Sequence, residues 1–159
     1  MRTGIFPGTF DPVTAGHVDI VTRARKVLDR LILGVAEGHH KETLFTAEER
    51  KRLVEQSLSD LDGVEVVTFS GLLVDLAREH QAQAIVRGMR FVTDFEYEFQ
   101  LALMNRRLDA ELETLFFIPS EAYSYLTSSV IKEVVRLGGD VSGLVPDPAL
   151  NALKEKLSP

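Results

Sequence analysis

Residues 3–17 read T-G-I-F-P-G-T-F-D-P-V-T-A-G-H. The beginning of this stretch, Thr3–Phe6, has the apolar and β-branched composition of a short buried strand. A connection with two glycines, two prolines and two threonines follows, and a helical pattern of apolar residues starts at His17. A strand, a glycine-containing connection and a helix in this order predict the first unit of an α/β fold.

The rest of the chain continues the alternation of strands and helices. Further strands are predicted at Leu31–Ala36, Val64–Phe69, Ala84–Val86 and Thr114–Ile118, and helices at His17–Leu28, Ala47–Leu58, Leu72–His80, Asp94–Leu108 and Ser129–Leu137. This spacing predicts a doubly wound, five-stranded parallel sheet. A C-terminal helix is predicted from Asp147, with Leu150, Leu153 and Leu157 along one side.

Several helix ends carry recognisable capping residues. Thr46 with Glu49, and Thr93 with Glu96, match the capping box, in which a hydroxyl and a carboxylate satisfy reciprocal backbone donors. Gly138 has the position of a left-handed cap at the end of the fifth helix. These signals predict where the helices begin and end.

Composition excludes several classes of protein. A chain of 159 residues can bury its own core, and we expect a single domain over residues 1–159. The formal net charge of −6 argues against nucleic acid or an anionic membrane as a partner. The chain has no cysteine, so it has no thiol nucleophile, and this fits a reducing compartment. Because we find no apolar span and no secretory signal, we expect a cytoplasmic protein.

The candidate site lies where the first and fourth strands end. In an open parallel sheet, ligands bind beyond the carboxyl ends of the strands, where the winding direction reverses. With the strand order 3-2-1-4-5, the connections after strands 1 and 4 would face one cleft. The first contains Gly8 and Gly16 and leads into a helix whose free N–H groups favour phosphate, and the second carries Arg87 and Arg90.

Simpler interpretations of these residues remain open at this point. A tight turn capped by Thr9 or Thr14 explains the glycine and threonine content equally well. His17 alone would be an ordinary residue of a first helical turn. The chain has no Walker motif, no G-x-G-x-x-G and no G-x-S-x-G, which argues against the common NTPases, dinucleotide dehydrogenases and serine hydrolases.

Residues 7–17, P-G-T-F-D-P-V-T-A-G-H, resemble the opening motif of the nucleotidyltransferase superfamily, which carries (H/T)-x-G-H. R-G-M-R at 87–90, D-F-E-Y-E at 94–98, M-N-R at 104–106 and Y-S-Y-L-T-S-S-V-I-K-E at 123–133 extend the likeness. Together they resemble the bacterial phosphopantetheine adenylyltransferase family over essentially the whole chain. The resemblance implies a Rossmann-like nucleotidyltransferase fold with C-terminal helices, spanning residues 1–159.

The resemblance also implies a reaction. AMP would pass from ATP, accompanied by Mg²⁺, to 4′-phosphopantetheine, giving dephospho-coenzyme A and pyrophosphate in the penultimate step of coenzyme A synthesis. The nucleophile is the phosphate of the substrate itself, so the protein needs no general base and no covalent intermediate. The resemblance further implies a homohexamer.

Site residues follow from the same resemblance, with His17 as the catalytic group that stabilises the transition state. The residues implied for ATP are Thr9, Phe10, His17, Gly88, Met89, Arg90, Glu98, Tyr123, Ser124, Tyr125, Leu126, Thr127, Ser128 and Ser129. Those implied for phosphopantetheine are Thr9, Lys41, Leu73 and Arg87. No dedicated metal ligand is expected. The chain departs from the family at Tyr123, where tryptophan is common, and around Thr127.

For some of these residues the sequence alone favours or equally allows a structural role. Lys41 would be a solvated loop residue, and the adjacent histidines are treated the same way. Glu98 would be a surface partner of a basic residue one helical turn away, and Leu73 would serve the core equally well. Asp11, the acid nearest to the phosphate loop, would cap the turn at Pro12 rather than contact a metal through water.

The helix predicted at Asp94–Leu108 has two apolar stripes. One contains Phe95, Phe99, Ala102 and Leu103, and the other contains Tyr97, Leu101, Met104 and Leu108. Since one stripe is enough to cover the sheet, the second predicts a contact between subunits.

Two other functions remain compatible with the opening motif. Nicotinamide-mononucleotide adenylyltransferases and cytidylyltransferases share it but differ in the acceptor. A regulatory module that binds ATP or coenzyme A without turnover is the alternative outside enzymes, and it would not need the donor that His17 provides.

Overall fold

The structure, a computed structural model, describes residues 1–38 and 42–157. Its five strands are β1 (Thr3–Gly8), β2 (Arg30–Ala36), β3 (Val64–Phe69), β4 (Ala84–Gly88) and β5 (Glu113–Phe117). They form one parallel sheet in the order β3-β2-β1-β4-β5. The five predicted strands and their order are therefore confirmed.

In the part of the chain that the structure describes, six α-helices accompany the sheet: α1 (Ala15–Ala24), α2 (Ala47–Ser57), α3 (Leu73–Glu79), α4 (Val92–Leu108), α5 (Ser128–Arg136) and α6 (Asp147–Leu157). A short 3₁₀ helix at Glu121–Tyr123, which the sequence did not predict, precedes α5. Within the described ranges, no helix is long and apolar enough to cross a membrane.

The helices cover both faces of the sheet. On one face, α1, α2, α5 and α6 bury a large core that contains Val21, Leu33 and Leu153. On the other face, α3 packs Val74 and Leu76 against the central strands. This two-sided arrangement confirms the doubly wound α/β architecture and leaves the carboxyl ends of the strands uncovered.

Helix α1 begins and ends earlier than predicted. Its N-cap is Thr14, whose hydroxyl accepts the backbone N–H of His17 at 3.3 Å. After Ala24, the N–H groups of Lys26 and Val27 bond to carbonyls three residues back rather than four. This tighter turn ends the helix before the predicted Leu28, which is buried in the core.

One of the two predicted capping boxes is correct. Thr46 accepts the N–H of Glu49 at 3.2 Å, and the Glu49 carboxylate accepts the N–H of Thr46 at 2.8 Å. The box at Thr93 is wrong, because α4 begins one residue before Thr93. There the Asp94 carboxylate takes the N–H groups of Arg90 and Phe91, each at 3.3 Å, so the donors are satisfied from inside the first turn.

The fifth helix ends as the glycine signal predicts. Gly138 has a φ of +80°, in the left-handed region that favours glycine. Its N–H bonds to the carbonyl of Val135, and the N–H of Gly139 bonds to that of Val134. This is the paired arrangement of a Schellman cap, so the predicted stop is confirmed.

Neither of the two apolar stripes predicted on α4 faces the sheet as a whole. Phe95, Phe99 and Leu103 are exposed, and the side turned toward the protein carries Glu98 and Leu101 instead. The reason is an ion pair described below, which draws Glu98 inward. Apolar residues therefore remain on both outer flanks of the helix.

Candidate active site

A cleft of about 380 Å³ lies at the carboxyl edge of the sheet, between the connection after β1, the end of β4 and the segment that leads into α5. Predicted site residues that line it are Thr9, Phe10, His17, Arg87, Gly88, Arg90, Glu98, Tyr123, Leu126, Thr127 and Ser128. Those that do not line it are Met89, Ser124, Tyr125 and Ser129. Lys41 lies outside the described residues.

Arg87 and Gly88 are the last residues of β4 rather than part of the following loop, so the strand extends further than predicted. Leu73, predicted for the acceptor, lines a small separate cavity of about 40 Å³. Arg87 and Glu98 line both cavities, so this cavity adjoins the cleft.

A larger depression, of about 530 Å³, runs along β5 at Leu115–Phe117. Its lining is mostly apolar, with Arg2 at its rim. Ligand sites usually combine an apolar lining with convergent polar groups, and here those groups are in the cleft. We therefore assign the site to the cleft.

The connection after β1, residues 9–14, is fixed by a buried arginine that the sequence did not single out. Arg50, on α2, is only 2% exposed. Its guanidinium donates to the carbonyls of Thr9 at 2.7 Å, Ala36 at 2.8 Å and Phe45 at 3.2 Å. Arg50 thus ties three loops together at the edge of the sheet, and only tertiary structure brings these carbonyls within its reach.

The two glycines of this connection have different roles. A Cβ on Gly8 would lie 2.9 Å from the Phe10 ring, so the fold itself requires glycine there. A Cβ on Gly16 would make only ordinary contacts, the nearest at 3.5 Å to the Thr14 hydroxyl. Because packing does not require glycine at position 16, its open backbone at the cleft favours the prediction of close approach by a ligand.

The His17 imidazole is held by the residue that caps its own helix. The Thr14 N–H donates to Nδ1 at 3.0 Å, and the Thr14 hydroxyl lies 3.1 Å from the same nitrogen. Because a backbone N–H can only donate, this bond assigns the ring proton to Nε2. Nε2 has no hydrogen-bond partner within residues 1–38 and 42–157, and it is available as a donor in the cleft.

The surroundings of His17 keep the imidazole neutral. Burial, together with the positive charges of Arg90 and Arg87, lowers the pKa of His17 from 6.5 to about 4. The edge of the Phe10 ring packs on the imidazole, with ring centroids 4.9 Å apart. The site therefore presents a fixed N–H donor without a charge of its own at neutral pH.

Two predicted residues of the cleft, Arg87 and Glu98, bind each other. The Arg87 guanidinium donates to both carboxylate oxygens of Glu98, at 2.8 and 2.6 Å, and to the carbonyl of Pro7 at 3.2 Å. Glu98 is one of the few charged residues that are buried. The interpretation of Glu98 as a surface partner one helical turn from a base is therefore wrong, because Arg87 comes from the neighbouring strand.

Arg90 connects β4 to the segment before α5. Its guanidinium donates to the carbonyl of Leu126 at 2.8 Å and lies 3.7 Å from Asp94.

The N-cap of α5 is Thr127, whose hydroxyl accepts the N–H of Val130 at 3.1 Å. Ser128 donates its hydroxyl to the carbonyl of Pro12 at 2.8 Å. The first turn of α5 thus rests directly on the loop that follows β1.

Asp11 has a different role from the predicted one. Its buried carboxylate accepts the N–H groups of Leu44 and Phe45, both at 2.9 Å, and the Lys132 ammonium at 2.6 Å. It does not cap the turn at Pro12. Since these partners come from distant parts of the chain, neither capping rules nor local spacing could have predicted them.

Among residues 1–38 and 42–157, no cluster of three or more His, Asp or Glu side chains could hold a metal ion. Glu98, which lines the cleft, is bound to Arg87, and Asp11 in the loop after β1 is bound to Leu44, Phe45 and Lys132. The described residues therefore do not form a carboxylate cage of the kind that binds a divalent ion.

Comparison with known proteins identifies relatives of the whole chain. The chain matches the cytidylyltransferase-like family over residues 5–134. It is 52% identical over 146 residues to the phosphopantetheine adenylyltransferase of Moorella thermoacetica, which covers 92% of this chain and 91% of the relative. It is 49% identical over 156 residues to the enzyme of Alkaliphilus metalliredigens, and the match covers 98% of this chain and 99% of the relative. It is 51% identical over 156 residues to the enzyme of Methylococcus capsulatus, and the match covers 98% of this chain and 96% of the relative.

The state of His17 can be measured in the free protein. We expect ¹⁵N NMR to find a neutral imidazole with the proton on Nε2 from pH 8 down to about 5.5, since its pKa is about 4. In the unfolded chain the imidazole takes up a proton near pH 6.5, whereas in the folded protein it does so only near pH 4. His17 therefore lowers the free energy of unfolding progressively as the pH falls from 6.5 toward 4. Replacing His17 by Gln should remove that loss. A midpoint near 6.5, or a proton on Nδ1, would contradict the assignment.

Proposed function

We propose that this chain, which belongs to the phosphopantetheine adenylyltransferase family, transfers AMP from ATP to 4′-phosphopantetheine and releases dephospho-coenzyme A and pyrophosphate. This is the penultimate step of coenzyme A synthesis. The proposal rests on relatives of this name, to which the chain is about 50% identical over nearly its full length. The polar cleft supports it independently, because its helix end, arginines and neutral histidine suit two phosphorylated ligands.

The reaction is one displacement at phosphorus. A phosphate oxygen of 4′-phosphopantetheine attacks the α-phosphorus of ATP, and the bond from that phosphorus to the oxygen that bridges it to the β-phosphate breaks. The attacking group is already anionic at neutral pH, so no residue has to remove a proton. The protein contributes position and charge stabilisation, which are the main terms in phosphoryl transfer.

His17 is the residue that we assign to the transition state. Its Nε2–H is a preorganised donor, and its neutral ring needs no change of protonation during the reaction. Thr14 holds the ring through Nδ1, so the donor direction is fixed before ATP binds. A donor fixed in advance stabilises developing charge without reorganisation.

The remaining assignments follow the two sides of the cleft. We assign Arg90 and the first turn of α5 to ATP, where guanidinium and free N–H groups suit polyphosphate. We assign Arg87 to the phosphate of the acceptor, and the small cavity at Leu73 to its uncharged arm. Lys41 is assigned to the acceptor phosphate by the sequence motif alone, and Glu98 to the adenosine side.

ATP is proposed to enter as its magnesium complex. Because the described residues form no carboxylate cage, the phosphates of ATP and water would provide the ligands of the ion. We further propose that the protein works in the cytoplasm, since a chain without cysteine fits a reducing compartment.

We also propose a homohexamer with α4 at a subunit contact. The single chain leaves two apolar flanks on this helix: Phe95, Phe99 and Leu103 on one side, and Tyr97, Met104 and Leu108 on the other, each at least 43% exposed. Residues 96, 100 and 107 form a polar ridge between the flanks. Exposed apolar surface of this extent usually marks a contact, and closed symmetry is the common outcome.

The direct test of the reaction is product analysis. The protein with MgATP and 4′-phosphopantetheine should form dephospho-coenzyme A and an equal amount of pyrophosphate. His17→Ala should lower kcat by about 10²- to 10³-fold, the usual effect of losing one preorganised donor, and change ATP affinity much less. Unaltered kcat with a raised KM would make His17 only a binding residue.

The same assay separates the alternative functions. Turnover only with nicotinamide mononucleotide, or only with CTP as the nucleotide, would move the chain to another member of the superfamily. ATP binding without pyrophosphate release from any of these pairs would indicate a regulatory module.

The acceptor side can be tested at Arg87 if its pairing with Glu98 is taken into account. Arg87→Ala alone leaves a buried carboxylate unpaired, so the informative comparison is Arg87→Ala/Glu98→Gln against Glu98→Gln. We expect the added loss of Arg87 to weaken 4′-phosphopantetheine about 10- to 100-fold and ATP much less, as measured by calorimetry. Lys41→Ala should have the same selectivity. Equal losses for both ligands would mean that the two sides are misassigned.

The assembly can be tested on α4. Met104 is 58% exposed, whereas Leu101 faces the protein, so Met104→Glu is the cleaner variant of the two. It should split the assembly by burying an unpaired charge, and Gln56→Glu, which adds the same charge on the exposed surface of α2, should not. Sedimentation velocity gives the result. A wild type found only at 17.7 kDa would refute self-association, and an assembly that survives Met104→Glu would refute this contact.

A further inference from the structure

A buried ion pair joins α5 to the loop that follows β1. Lys132 Nζ lies 2.6 Å from Asp11 Oδ2, and the two side chains are 16% and 5% exposed. Asp11 is in the loop and Lys132 is on α5, 121 positions later in the chain. The pair therefore connects two segments that both contribute residues to the lining of the cleft.

A second bond from the same side of α5 reaches the next residue of the loop. Ser128 precedes Lys132 by four positions, so the two side chains lie one helical turn apart on one face. Ser128 donates to the carbonyl of Pro12 at 2.8 Å. Two bonds to consecutive loop residues, 11 and 12, fix both the position and the rotation of α5.

Stability alone is a weak explanation for this ion pair. Taking two charges out of water costs free energy that their attraction often only offsets, so an apolar pair of similar size would hold the fold equally well. Helix α5 already has an apolar anchor, because Ile131 and Val135 are buried in the core. The ion pair adds direction to this packing, since a hydrogen-bonded charge pair allows far fewer geometries than apolar contact.

Asp11 also binds a third segment. Its carboxylate accepts the N–H groups of Leu44 and Phe45, in addition to Lys132. Removing Lys132 leaves Asp11 with two of its three partners, so the loop can stay in place while α5 loses its constraint. Removing the Asp11 carboxylate loosens both attachments.

We propose that Lys132 is a positioning residue, which acts through Asp11 to hold the amino end of α5, at Thr127 and Ser128, against the loop that leads into α1 and His17. The inference rests on the proposed function, because ATP is the ligand that this helix end serves. Positioning of this kind has large effects on rate, since a displacement of about 1 Å can cost about 10²-fold.

The test compares Lys132→Met with Lys51→Met. Lys51 is on α2, where its only ion pair among residues 1–38 and 42–157 is a 3.8 Å contact with Glu55, so this control removes a lysine charge without touching α5. Lys132→Met should weaken the binding of ATP, measured by calorimetry, and should lower kcat/KM for ATP about 10- to 100-fold. The dissociation constant of 4′-phosphopantetheine should stay at the wild-type value. Asp11→Asn should weaken the binding of both ligands, because it also removes the carboxylate that accepts the N–H groups of Leu44 and Phe45.

Thermal unfolding separates positioning from general damage. Wild-type ATP affinity and kcat in Lys132→Met would overturn the proposal, as would equal weakening of both ligands in step with a lower Tm. If Lys132→Met does not fold, Lys132→Arg decides, because its longer, forked group keeps the charge but shifts the helix. Lys132→Arg should lower kcat/KM for ATP at an unchanged Tm, and a wild-type value would refute the inference.

Failure of the proposed function has a different signature. A wild type that binds ATP but forms no dephospho-coenzyme A would refute the reaction, while the ATP calorimetry of the Lys132 and Lys51 variants would still decide the positioning role.

Discussion

The loop between β1 and α1 depends on hydrogen bonds from distant side chains. Much of this loop is buried, yet it belongs to neither the sheet nor a helix, so its carbonyls need other partners. Arg50 on α2 supplies one at Thr9 and Ser128 on α5 supplies one at Pro12, while Arg87 on β4 donates to the carbonyl of Pro7 near the end of β1. A buried polar group without a partner costs about 1–3 kcal/mol, so the loop reaches this shape only when the rest of the fold is in place. The phosphate loop is therefore preorganised by the whole structure and not by its own sequence alone.

Two arginines, Arg87 and Arg90, give an acidic protein a cleft suited to anions. The chain carries a net charge of −6, but Arg87 and Arg90 meet at this edge of the sheet and lower the pKa of His17. Each arginine already has partners, Glu98 for one and the carbonyl of Leu126 for the other. These bonds hold the guanidinium groups in place before a ligand arrives. A phosphate that binds Arg87 must compete with Glu98 for the guanidinium. The selectivity for the ligand therefore depends on how well its phosphate can take the place of the carboxylate.

Sequence reasoning succeeded where the determining signal is local or repeated. The alternation of strands and helices was sufficient for the five-stranded parallel sheet, and the pairing of Thr46 with Glu49 was sufficient for a helix start. The pairing of Thr93 with Glu96 has the same form but failed, because Asp94 satisfies the donors from a different position. Most of the site residues suggested by family resemblance do line the cleft. Arg50 and Lys132 could not be found in this way, because their importance comes from partners far away in the chain, and a buried arginine or lysine has no local pattern that distinguishes it from a surface one.

The ion pair between Arg87 and Glu98 also decides how α4 is oriented. On hydrophobicity alone, one of the two apolar stripes of the helix would cover the sheet. A carboxylate held by two bonds to a half-buried guanidinium is a stronger constraint, because leaving either charge without its partner would cost several kcal/mol. Glu98 therefore faces inward, and the aromatic residues stack on the outside, with the Phe95 and Phe99 ring centroids 5.5 Å apart. One contact thus places a site residue in the cleft and, as its consequence, leaves the apolar flanks of the same helix on the surface. A change at the Arg87–Glu98 pair would for this reason alter both the cleft and the outer surface of α4.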